Sequence, residues 1–141
     1  MLDLYGLPGD FPGVGEHGNR PLEWVQNVER AWEADVGDSR FHAYLSLHEF
    51  EAFAFVAPEA CTTVFTPEQA AKLSAERDGC GGEVEAINHG KTSHPSARVR
   101  RVFPGYDKTV YGALVTLETG LDRLARASPH FGALLTWLRA G

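Results

Sequence analysis

Apolar and polar positions run along the chain with two different periods. The short run Leu2-Asp3-Leu4-Tyr5 is followed by a glycine- and proline-rich stretch from Gly6 to about Gly18, which reads as a strand leading into a loop. Pro21 suits the first turn of a helix, and Trp24, Val28, Ala31 and Trp32 then recur at helical spacing until Gly37. The stripe Trp24, Val28, Trp32 is a core-facing one. From Phe41 to Leu47 apolar side chains alternate with more polar ones, the period of a strand with one buried face. Strand, helix and strand make a βαβ unit, whose strands should lie parallel with their carboxyl ends on one edge. In open α/β sheets, ligands gather at that edge.

After Leu47 the pattern becomes helical. His48 to Phe55 predicts a helix start followed by short helical segments, and Thr66-Pro67-Glu68-Gln69 is a capping box with proline at the first helical position. The cluster Gly79 to Gly82 ends that helix. A further helix should begin at Ser93 or His94 and stop at Phe103, before Pro104-Gly105. Tyr111, Leu114, Val115 and Leu117 predict another, ending at Gly120. Ser128-Pro129 predicts a cap and first position for the last, with Phe131, Leu134, Leu135 and Leu138 on its apolar side. The expectation is one α/β domain of 141 residues, with a βαβ part over 1–60 and a helical part over 61–141.

Composition changes this picture little. Hydrophobic residues make up 43% and charged residues 23%, as in globular domains, and there is no low-complexity tract or fixed-period repeat. No stretch has the length needed to span a bilayer and the start lacks a signal-peptide pattern, so a cytoplasmic location without membrane association is expected. Cys61 and Cys80 lack metal-ligand or redox spacing and read as free thiols. The net charge of -6 argues against an indiscriminate nucleic-acid coat. Its distribution is uneven: residues 1–70 hold three basic and twelve acidic side chains, residues 71–141 ten basic and seven acidic. Such asymmetry suits a site with metal on one side and phosphate on the other, and equally a varied surface.

Asp3, near the carboxyl end of the first strand and beside a glycine-rich turn, is a candidate ligand for a hard cation; its structural alternative is an aspartate bonding the turn. His48, Glu49 and Glu51 follow the second strand and would share the edge with Asp3, although glutamates at a helix start also complement its dipole. The zinc-protease pattern His-Glu-x-x-His is excluded, because Ala52 stands where the second histidine is required. Gly90-Lys91-Thr92 imitates the end of a phosphate-binding loop, but Glu85 occupies the place of the first glycine and no strand leads in. Lys91, Arg98, Arg100, Arg101 and Lys108 fall in a stretch whose one acid is Asp107, a phosphate-contacting surface or a solvated basic face. No Gly-x-Ser-x-Gly elbow supports acyl transfer.

Several segments together resemble a bacterial family, domain of unknown function 4276, related to the Toprim fold. They are Leu2-Asp3-Leu4-Tyr5-Gly6-Leu7-Pro8 with Asp10-Phe11-Pro12-Gly13, and Leu45 to Ala52. Ile87-Asn88, Pro95-Ser96 with Arg98, Pro104 to Lys108, Gly120-Leu121-Asp122 and Pro129-His130-Phe131 follow in the same order. The resemblance implies a Toprim-like parallel sheet flanked by helices, lacking its amino-terminal strands here, with a helical second half. It implies that Asp3 with Glu49 or Glu51 holds Mg²⁺ or Mn²⁺ for phosphodiester chemistry, as a nuclease does. Lys91, Arg98 and Lys108 would then bind phosphate. Nucleic acid and an ATPase partner in anti-phage defence are implied as partners. Tyr5 stands where such proteins carry the second aspartate of an Asp-x-Asp pair, and no glutamate-bearing first strand precedes Met1. These departures imply a truncated chain, or a non-catalytic interaction module that keeps the fold without the chemistry.

Overall fold

The computed structural model describes residues 2–3, 7–15, 21–46, 49–82, 84, 87 and 94–140, with the backbone alone at residues 2–3. The chain divides into two compact units, Met1–Leu47 and His48–Gly141.

In the first unit, β1 (Leu2–Asp3) pairs in parallel with β2 (Leu45–Ser46), Leu2 opposite Leu45 and Asp3 opposite Ser46. Between them runs α1 (Pro21–Val36). Val25 and Val28 on α1 close over Leu45, and Phe11, Val14, Trp24 and Trp32 seal the rim. Gly13, at φ +78°, lets the loop approach α1 so closely that a Cβ there would lie 2.9 Å from Ala31 Cβ.

The second unit is helical. A 3₁₀ helix, Phe50–Phe55, and a shorter one, Pro58–Ala60, precede α2 (Pro67–Gly79), α3 (Pro95–Val102), α4 (Lys108–Thr119), α5 (Leu121–Ala127) and α6 (Pro129–Ala140). Phe55, Cys61, Leu73, Ile87, Val99 and Val115 form the centre of its core. Phe65, Phe103, Tyr106 and Tyr111 pack ring against ring beside them. The Thr66 hydroxyl and the Gln69 side chain satisfy each other's backbone N–H at the start of α2. Gly120, at φ +82°, breaks α4 from α5 without a Cβ penalty. At Gly132 a Cβ would lie 2.8 Å from the Ala125 carbonyl oxygen, so α5 and α6 pack backbone to backbone there.

The expected Toprim-like parallel sheet flanked by helices is overturned. Among the described residues the strands amount to two pairs of residues, and the chain is mostly helical. Beside β2, two backbone N–H groups are taken by carboxylates of α1, Glu29 Oε1 accepting from Leu45 N at 2.7 Å and Glu33 Oε1 from Ala43 N at 2.9 Å, and the elements described after β2 are all helical. Alternation over residues 41–46 therefore marks a segment fastened to α1 that holds only a two-residue strand, Leu45–Ser46.

Candidate acidic site around Glu51

The 3₁₀ helix places two carboxylates two residues apart and gives them different surroundings. Glu49 is its N-cap residue, and its Oε2 accepts from Ser96 N at 2.9 Å in the first turn of α3. The next free N–H of that turn, Ala97, donates to His94 Nδ1 at 3.3 Å, so a carboxylate and an imidazole divide the cap between them. Burial alone would raise the Glu49 carboxyl, but the Ser96 N–H and hydroxyl and the neighbouring His94 ring outweigh it and hold it below the usual carboxylate range.

Glu49, His94 and Ser96 have the residue types of a hydrolytic triad without its geometry. The Ser96 hydroxyl lies 3.0 Å from His94 Nδ1 and Glu49 Oε2 lies 3.2 Å from the same nitrogen. A relay needs the acid and the nucleophile on opposite ring nitrogens, so these three form a helix cap.

Glu51 is buried, 4% exposed, and its Oε2 has no hydrogen-bond donor among the described residues. Among the described residues it is paired with Lys108 Nζ, 3.5 Å away, on a side chain that is 54% exposed and also reaches over the Phe50 ring. The second buried polar atom with no partner among the described residues, the Tyr106 hydroxyl, belongs to the same surroundings. Burial first, and the Glu51 charge second, push its pKa up to about 12, so it is a neutral hydroxyl at ordinary pH. A buried carboxylate oxygen or hydroxyl left without a partner costs about 1–3 kcal/mol, and such groups mark places where water or an ion enters.

The residues expected to form the site fall as follows. Asp3 lies in β1 of the first unit, where only its backbone is described, and Glu49 and Glu51 lie in the second. Lys91 and His48 lie outside the described residues. Arg98, on α3, pairs with Glu76 of α2 at 2.5 Å, and Arg101 reaches the other oxygen of the same carboxylate at 3.3 Å. Lys108 is brought to Glu51. Tyr106 escaped sequence reasoning because a tyrosine between Gly105 and Asp107 reads as a turn residue. The Pro104-Gly105 stop before it and the helix after it were the one signal that the side chain is pinned inward.

Among the described residues, no group of three or more His, Cys, Asp or Glu side chains is placed to hold a metal ion. Among the described residues no helix is long and apolar enough to cross a membrane. In comparisons with known proteins, the family described as Domain of unknown function (DUF4276) matches residues 1–139. No curated protein and no solved structure matches.

Proposed function

For a chain that belongs to the DUF4276 family over nearly its whole length, we propose metal-dependent phosphodiester processing centred on Glu51. One observation carries this reading: a buried carboxylate whose Oε2 lacks a hydrogen-bond donor and faces a lysine too far away to bond it well. Glu51 would hold Mg²⁺ or Mn²⁺ through that oxygen. Glu49, kept ionised, adds negative charge at the same helix start while its Oε2 caps α3. Lys108, long and half-exposed, turns from the carboxylate to a phosphate oxygen when a cation replaces it. Tyr106 offers a neutral hydroxyl to a metal-bound water or a phosphate oxygen. A divalent ion bound here would supply Lewis-acid stabilisation of phosphoryl charge and an activated water. Lys91 is the remaining candidate for phosphate, and nucleic acid is the proposed substrate. The test is cleavage of single- and double-stranded DNA by the purified chain with Mn²⁺. Cleavage that disappears in Glu51→Gln while the fold persists supports the reading; cleavage equal in both proteins refutes it.

A second reading, an interaction module without chemistry, is favoured by a different observation. Val110, Leu114 and Leu117 recur along α4, with Leu121 following, and are 57%, 37%, 76% and 46% exposed. They form a stripe of the kind that docks on a partner protein, for which an ATPase is the proposed candidate. A chain that binds no divalent cation and leaves DNA intact would leave this reading standing.

A further inference from the structure

Away from Glu51, the second unit has a cavity of about 320 Å³ with Arg77 and Arg126 in its wall and, among the described residues, no carboxylate in its lining. Val56, Gly82, Ala127 and Pro129 complete most of the lining. We propose that this cavity binds a small oxyanion of the phosphate class.

Arg77 is held in place before any ligand arrives. Its Nη1 donates to the carbonyls of Phe55 and Val56 at 3.3 and 3.1 Å, and its Nε donates to Asp78 Oδ1 at 3.0 Å. These bonds fix the guanidinium plane at the end of the 3₁₀ helix and leave Nη2 without a hydrogen bond among the described residues. Asp78 offsets part of its charge, and that carboxylate is 65% exposed.

Arg126 supplies the rest. It lies in the last turn of α5 and has neither a hydrogen bond nor an ion pair among the described residues, so its five N–H donors are available. Two guanidinium groups, one anchored and one free to close, suit tetrahedral oxyanions, for which arginine provides paired parallel donors. Pro129, the first residue of the twelve-residue α6, adds the positive end of a helix to the wall. The volume lies at the small end for ligand pockets, which fits a phosphate-bearing small molecule more than a polymer.

The test is calorimetric titration of the full chain with inorganic phosphate, at low and at moderate salt. Saturable binding is expected, weakened at least tenfold by Arg126→Gln and several-fold by Arg77→Lys. Arg100→Gln, which removes an exposed arginine outside the cavity, is expected to change nothing. Arg126 makes no bond within the described fold, so its substitution should leave the thermal melt unchanged, and the melt is recorded for each variant. No saturable heat with the wild-type chain, or equal binding by Arg126→Gln, overturns the proposal. Loss of binding in Lys108→Met with retention in Arg126→Gln also overturns it, by placing the anion beside Glu51. Because the cavity shares no residue with the Glu51 site, failure here leaves the proposed phosphodiester chemistry untouched.

Discussion

Lys108→Met should expose how strongly Glu51 depends on its cationic neighbour. At the 3.5 Å separation, two unit charges attract by about 5 kcal/mol at an effective dielectric constant near 20 and by about 1 kcal/mol in water. Glu51 lies at the first limit, with a side chain 5% exposed, and Lys108 towards the second, at 54%. After the entropy of ordering a long lysine, a net contribution of about 1–2 kcal/mol remains. A further ~0.5 kcal/mol comes from the Lys108 ammonium over the Phe50 ring, 5.9 Å from its centroid. Urea unfolding at pH 7 should therefore show Lys108→Met less stable by about 2 kcal/mol in the native background. In the Glu51→Gln background, where only the ring contact is lost, the same change should cost about 0.5 kcal/mol. Equal losses in the two backgrounds, within about 0.3 kcal/mol, would refute the idea that the pair is coupled.

Tyr106→Phe should leave stability unchanged or raise it by up to about 1 kcal/mol, because a buried hydroxyl without a partner is removed; a loss of that size in urea unfolding would show that the hydroxyl is bonded. Glu49→Gln should cost about 1 kcal/mol at pH 7 by weakening the cap of α3. The folded Glu49 carboxyl titrates below its ordinary value of 4.5, so its contribution is complete above that value and fades as pH falls through the folded one. Unfolding curves of the wild type and Glu49→Gln should accordingly converge in acid. Gly132→Ala should lower the thermal midpoint, since overpacking against the Ala125 carbonyl by about 1–3 kcal/mol exceeds the gain of up to about 1 kcal/mol in helix propensity.

Local signals in the sequence were legible where one short-range interaction decides the outcome. Thr66 to Gln69 forms its capping box, Gly120 takes the positive φ that ends α4, and the helix before Pro104 stops at Val102. How little sheet the chain forms was not legible, because two N–H groups beside β2 are taken by Glu29 and Glu33, sixteen and ten residues earlier in the chain. An amphipathic helix face does not announce that two of its acids bond strand backbone. The last helix shows a related limit: Leu138 belongs to the apolar side that its spacing predicts, yet it is 57% exposed, since periodicity shows a face and not what covers it. At the candidate site, the position of Glu49 and Glu51 at a helix start was readable, but their division of labour was not. Whether a carboxylate meets an N–H or a lysine depends on contacts made forty-five or more residues later.

Direct binding of Mn²⁺ bears most closely on Glu51 as a cation ligand, and it can be read by calorimetry and by the loss of free-ion paramagnetic signal, without any activity. The wild-type chain should bind saturably and Glu51→Gln should not, with Glu118→Gln, a half-buried acid that accepts from Thr63 N, behaving as wild type. Binding that survives Glu51→Gln unchanged, or is absent from the wild type, would contradict the account.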